Sequence, residues 1–248
     1  YIIKFLFLMK NIYANILLIL FPILLTSCAV IDTSGLETAD TIPKGKIKLA
    51  IEASIGTELL FSAEQFEQDS LIDFQESAAA AIGALNFGFG LDDKSDIHFK
   101  AWGSGSGGIG FRIFFKTKFK SKNENITRAI APGVNFLKYD GNDDTHSRTE
   151  DVRSFGFEIP YIQTRKLGKY FSTTGIIRYG FDQLLVDSVI NDDFETKEYS
   201  LHRIGIIGGI SLKFKQLPGL RICAGVEVLS PMNDLYSYSP IFGFGIVF

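Results

Sequence analysis

Lys46-Ile47-Lys48-Leu49-Ala50-Ile51-Glu52-Ala53-Ser54-Ile55 alternates with a period of two: Ile47, Leu49, Ile51, Ala53 and Ile55 point one way, and Lys46, Lys48, Ala50, Glu52 and Ser54 the other. One such run is an ordinary half-buried strand. Repeated along the chain with charges on the second face, it describes a sheet with one continuous apolar side and one side carrying lysine, arginine and glutamate. Lipid cannot solvate those charges, so the pattern favours a barrel with a greasy exterior and a polar interior. Closure also pairs every backbone donor and acceptor, which an open edge in hydrocarbon would leave exposed.

Working outward, nine further strands are expected at 82–91, 96–103, 108–118, 126–139, 154–164, 170–181, 198–214, 220–229 and 240–248. Most run for about nine to thirteen residues, the length of a tilted bilayer crossing. The connections 92–95, 119–125, 165–169 and 215–219 are short, whereas 56–81, 140–153, 182–197 and 230–239 are longer; only 104–107 breaks the alternation. Membrane barrels have an even strand number, short periplasmic turns and longer external loops. The expected fold is therefore all-β: a single antiparallel up-and-down transmembrane β-barrel of about ten strands over 46–248, preceded by a cleaved signal helix.

Both ends carry signals of their own. The apolar run Ile16-Leu17-Leu18-Ile19-Leu20-Phe21-Pro22-Ile23-Leu24-Leu25 follows Lys10 and has the length of a signal-peptide core rather than of a spanning helix. Residues 1–27 are expected to be removed. Leu25-Thr26-Ser27-Cys28 resembles the lipobox of bacterial lipoproteins, and that resemblance implies that Cys28 becomes the lipidated first residue of the mature chain. Ala29 follows instead of Asp, so the inner-membrane retention signal of enteric lipoproteins is absent. Residues 28–45 are then a lipidated N-terminus and a flexible polar tether, anchored in membrane lipid on the periplasmic side.

At the other end, Phe242, Phe244, Ile246 and Phe248 share one face of a strand that ends on an aromatic. This resembles the C-terminal strand recognised by the outer-membrane assembly machinery, and the resemblance implies that machinery as a partner. Together the features resemble the small OmpA-type and porin-like barrels of the bacterial outer membrane, in a Gram-negative-type cell envelope.

Composition narrows the function. Removal of Lys4 and Lys10 with the leader leaves 23 basic against 28 acidic residues, a formal charge of about −5, which excludes a nucleic-acid partner. With Cys28 acylated, Cys223 stands alone, so neither a disulfide framework nor a cysteine metal site is available.

The polar faces place Glu52, Arg112, Glu158, Arg178, Arg203 and Glu227 in the outer half of one narrow lumen, three carboxylates with three guanidiniums. Side chains just fill an eight-stranded barrel, and a ten-stranded one is only modestly wider. Unpaired charges there cost several kcal/mol, so the set is expected to pair and plug the lumen. Lys46, Lys48, Lys116, Lys118 and Lys213 fall toward the periplasmic end as solvated rim residues.

No catalytic residue, metal or cofactor is expected. His146 lies in Asp143-Asp144-Thr145-His146-Ser147, but adjacency in sequence is not a triad, because nucleophile and acid must reach different ring nitrogens. His98 is expected in the lumen or at its rim, and His202 at the membrane interface. Gly103-Ser104-Gly105-Ser106-Gly107-Gly108 lacks the following helix and Lys-Ser/Thr of a phosphate cradle, and Asn142-Asp143-Asp144 and Asp192-Asp193 lack the spacing of a dedicated Ca²⁺ loop. The expected role is structural or surface-interacting, with external loops presented to surface ligands or envelope partners. The alternatives are a narrow passive channel for small solutes, a soluble periplasmic lipocalin-like binding lipoprotein, and an outer-membrane lipid-modifying enzyme.

Overall fold

In the computed structural model the described residues are 29–31, 36–59, 79–104, 108–119, 121–143, 148–190, 193–214, 217–231 and 237–248. The expected signal helix and Cys28 lie outside them. The elements are β1 (Ala29–Ile31), β2 (Ile47–Leu59), β3 (Ala79–Gly90), β4 (Ser95–Ser104), β5 (Ile109–Phe119), β6 (Ile126–Ile130), β7 (Gly133–Asp143), β8 (Arg148–Lys166), β9 (Phe171–Ile190), β10 (Asp193–Leu212), β11 (Gly219–Pro231) and β12 (Ser237–Val247).

From β2 onward the barrel strands pair antiparallel with their sequence neighbours, β6 and β7 counting together. β12 returns to pair with β2 from Phe242↔Ile55 to Val247↔Ala50, which closes the sheet. β6 and β7 are one barrel strand. β5 pairs with both in a single register, Thr117↔Ile130 and Phe114↔Gly133, and β8 does likewise on the other side. Pro132 has no N–H to give, yet the register holds across the break, since Pro132 O still accepts from Phe115 N–H and Ala131 N–H still donates to Pro160 O. The wall is thus ten-stranded, as the alternation requires.

The periodicity sets which face is which. Ala50, Glu52 and Ser54 are buried, while Ile47, Leu49 and Ile55 of the same strand are exposed. The pattern recurs around the wall, leaving Phe111 54% and Ile206 61% exposed while Arg112 and Arg203 are 3% and 1% exposed. Large apolar side chains outside and charges inside invert a soluble barrel, so the lipocalin-like alternative is corrected. Tyr161, Tyr170 and Tyr179 face outward, whereas Trp102 turns inward against Ile82 and Ala84.

At one end the strands are joined by short turns, such as the one in which Asp92 Oδ1 accepts from the Lys94 and Ser95 amides. These amide hydrogen bonds hold the Asp92 carboxyl below its ordinary pKa. Phe248 lies at this end, its N–H bonded to Leu49 O.

At the opposite end β8, β9 and β10 run to 19, 20 and 20 residues. The loops expected at 140–153 and 182–197 are largely paired strand, β7 with β8 and β9 with β10 continuing to Asp143↔Arg148 and Ile190↔Asp193. The inward alternation simply continues, with Leu184 and Val186 entering an apolar cluster with Leu137, Val152, Leu201 and Leu229, and burial of that set keeps the strands going.

The other departure is at the N-terminus. Residues 36–42, part of the segment 28–45 expected as a flexible tether, enter the barrel: Leu36, Glu37, Thr38, Ala39 and Ile42 are buried. The chain leaves the lumen at the turn end by reversing into β2. Lys46 N–H bonds Pro43 O, Gly45 N–H bonds Gly90 O, and Gly45 takes the left-handed φ of 70° that such a turn demands. β1 lies at the other end of the barrel, paired with the far end of β2 through Ala29↔Leu59 and Ile31↔Thr57.

Candidate functional site

The lumen is built in layers. The outermost is the apolar cap of Leu137, Val152, Leu184, Val186, Leu201 and Leu229, with Tyr139 and Tyr199 packed against it.

Beneath it lies a continuous charge network. Arg203 Nε donates to Asp182 Oδ2 at 2.6 Å, and its Nη1 and Nη2 reach Glu227 at 3.5 Å and Glu158 at 3.7 Å. Arg178 Nε donates to Glu227 Oε1 at 2.8 Å, Arg112 Nη2 meets Glu158 Oε1 at 2.9 Å, and Asn135 Nδ2 donates to Asp182. Two glycines make room for these guanidiniums, since a Cβ at Gly180 would lie 2.9 Å from Arg203 Nη2 and one at Gly205 would lie 3.0 Å from Arg178 Nε. Large and small residues therefore alternate across neighbouring strands, as filled small barrels require.

Five of the six residues chosen from the sequence fall in this network: Arg112, Glu158, Arg178, Arg203 and Glu227. Glu52 stands apart, with Oε2 at 2.7 Å from Lys100 Nζ and Oε1 accepting from Asn86 Nδ2. Two carboxylates absent from the sequence reading, Asp182 and Glu37, join the network. Asp182 was placed in a loop, and its signal was its even spacing from Arg178 along one strand face. Glu37 lies 3.9 Å from Arg112 in a segment without periodicity, so no pattern marked it.

The next layer is apolar and includes the N-terminal segment: Leu36 and Ala39 pack with Phe114, Ala129, Ala131, Ile162, Ile176, Ile207, Cys223 and Ile241. Polar contacts fix the segment against several strands. Arg221 Nη1 donates to Leu36 O at 2.7 Å, Ala39 N–H to Thr164 Oγ1 at 2.9 Å, and Ile42 N–H to Asp96 Oδ2 at 2.7 Å. Asp40 meets Lys213 at 3.1 Å and Lys166 at 3.6 Å. Burial works to raise the Asp40 pKa, but the two ammonium groups and hydrogen bonds from Lys213 and Thr127 hold it below its ordinary value.

At the turn end, Asp96 also takes His98 Nε2 at 3.1 Å and Lys116 Nζ at 3.4 Å, and His98 Nδ1 meets Asn86 Oδ1 at 3.0 Å. Lys116, expected at a solvated rim, is fully buried because Asp96 faces it from the adjacent strand, Asp96↔Lys116. His98 is stacked on Phe114 at 4.5 Å. His202 faces outward with its Nδ1 2.8 Å from Tyr179 Oη, and His146 lies outside the described residues. Of the assembly-signal residues, Phe242, Phe244 and Phe248 are exposed on the outer face.

A closed ten-stranded wall, an apolar exterior and a charge-bearing interior define an outer-membrane β-barrel. Among solved structures it is similar to the outer membrane protease OmpT from Escherichia coli, at 9% identity over 82% of this chain and 91% of that one, with a TM-score of 0.45. It is also similar to the outer membrane channel DcaP of Acinetobacter baumannii, at 6% identity over 84% of this chain and 99% of that one, with a TM-score of 0.24. No family model and no curated protein matches the chain.

Proposed function

We propose that the protein is an outer-membrane barrel lipoprotein, acylated at Cys28, whose closed barrel has a structural or surface-interaction role and conducts no catalysis. The observation that carries this reading is the filling of the lumen. Arg203 and Glu227 are 1% and 0% exposed in the centre, with an apolar layer on either side. A solute path needs groups that can exchange partners with a passing solute. Here each central guanidinium faces protein carboxylates.

The described lumen carboxylates Glu52, Asp96, Glu158, Asp182 and Glu227 likewise face protein cations. That arrangement supports a packed interior more than a reactive one. The long β8–β9–β10 extensions raise the outer end well above the bilayer, since about twenty residues at about 3.3 Å each exceed a tilted crossing about twofold. This supports presentation of the connecting segments to envelope or surface partners.

Purified mature protein reconstituted in a planar bilayer is expected to give no discrete conductance steps. Steps in the wild type, with charge selectivity that changes when Arg112, Arg178 and Arg203 are neutralised, would establish the channel instead.

A further inference from the structure

The N-terminal segment is fixed at two opposite ends of the barrel, and this decides where an anchor on Cys28 lies. At Gly45 the chain is at the turn end, hydrogen-bonded to Gly90. Ile42 and Ala39 lie inside the barrel, bonded to Asp96 and Thr164, and Leu36 lies higher, bonded to Arg221 and close to Gly243. Ala29, Val30 and Ile31 then pair with Leu59, Glu58 and Thr57, at the end of β2 opposite Ile47 and Phe248. Twelve steps along β2 at about 3.3 Å each amount to about 40 Å, more than the hydrocarbon thickness of about 30 Å, and the strand tilt leaves the span comparable to it.

The barrel seam provides the place for β1. β12 accompanies β2 only as far as Phe242↔Ile55. Two residues earlier in β12 stands Pro240, which has no N–H to donate, so the edge of β2 at Thr57–Leu59 is available to another strand. β1 takes that edge and also approaches β7 across the mouth.

From this geometry we infer that the N-terminal chain is threaded through the lumen from the periplasmic rim to the outer rim, so that the acyl group on Cys28 enters the outer leaflet and the lipoprotein is anchored at the cell surface. Cys28 is one peptide unit, 3.8 Å in Cα spacing, beyond Ala29. An anchor in the inner leaflet would require 29–31 and 36–42 to withdraw from the barrel. That would separate Glu37 from Arg112 and Asp40 from Lys213, remove the Leu36 and Ala39 side chains from their apolar layer, and break the β1–β2 pairing. The inference rests on the acylation of Cys28 taken from the lipoprotein reading, and it replaces the expected periplasmic position of the anchor.

The test uses the full-length protein in its cells, with a short epitope inserted between Cys28 and Ala29, and heat-modifiable migration to verify that the barrel has formed. Antibody binding to this epitope is expected to be equal in intact and permeabilised cells. The same epitope placed in the 121–125 turn is expected to rise many-fold on permeabilisation. An epitope after Cys28 that is reached only in permeabilised cells overturns the threading.

A second experiment needs no insertion. In a Cys223→Ser background, Ile31→Cys with Thr57→Cys places two thiols at directly opposed positions of an antiparallel pair, close enough for a disulfide. Under oxidation the pair is expected to cross-link and change the migration of the denatured chain, whereas persistently free thiols overturn the threading. Incorporation of radioactive palmitate is scored separately. A surface epitope and a cross-link without palmitate refute acylation and leave the threading standing; palmitate with a periplasmic epitope does the reverse.

Discussion

Arg203 on β10 and Asp182 on β9 meet at 2.6 Å where the lumen passes from its charged layer to its apolar cap, one inward position below Leu184. The two residues are not directly opposed: Arg203 is paired with Gly180, and Leu201 with Asp182. The guanidinium crosses the bare face of Gly180 and serves Asp182, Glu158 and Glu227 together. One buried cation therefore neutralises part of three carboxylates on three strands.

Removal of that cation takes from the buried Asp182 the guanidinium it pairs with, while Glu158 and Glu227 keep Arg112 and Arg178, and a broken buried pair costs about 3–5 kcal/mol. Arg203→Leu is expected to lower the unfolding free energy of the refolded barrel, read from its urea titration, by that amount without changing its strand content by circular dichroism. The double variant Arg203→Leu/Asp182→Asn is expected to recover part of the loss, because contacting groups do not add. A single-variant loss under about 1 kcal/mol would mean that water reaches these carboxylates and the lumen is open.

Trp102 is the sole tryptophan of the chain, and a Cβ at Gly110, its register partner on β5, would run into its indole ring. Gly110→Ala is expected to displace the ring from its place beside Ile82 and Ala84, at a cost of about 1–3 kcal/mol. Its fluorescence should shift to the red, and acrylamide quenching should increase. An unchanged spectrum would show that the ring is not packed against β5.

Asp40 connects the lumen segment to Lys166 and Lys213, and its pKa is lower in the folded barrel than in the free chain. A lowered carboxylate contributes stability above its unfolded pKa and loses that contribution as pH falls through the folded value. Both lysines are about half exposed, so the contribution is well under about 1 kcal/mol. Amide protection factors at 38–42 are expected to fall on acidification below the ordinary carboxylate range. Asp40→Asn should lower them already at pH 7 and leave a smaller acid-dependent loss. Equal behaviour of the two proteins would exclude Asp40 as a fastener of the segment.

Much of the barrel was legible along the chain because each strand reports its own environment. The exposed Ile47, Leu49 and Ile55, alternating with buried Ala50, Glu52 and Ser54, needed only the period-two rule. The same rule indicated that Arg112, Glu158, Arg178, Arg203 and Glu227 face inward. It was not carried through 182–197, expected as an external loop, although Asp182, Leu184 and Val186 continue the inward alternation. It also said nothing about 36–45, because a chain enclosed by a lumen contacts several walls at once and shows no period.

The sequence alone determined that this chain closes into an antiparallel ten-stranded barrel with its charges inside, since alternation is a local property and lipid tolerates only one assignment of faces. Tertiary structure decided which charges meet: Glu52 with Lys100, Lys116 with Asp96, and Arg203 with three carboxylates. It also decided that residues 36–42 occupy the lumen. Those outcomes depend on strand stagger, on the space left by Gly180 and Gly205, and on the diameter of the closed wall. No single strand encodes these quantities, because they exist only once all ten strands are assembled.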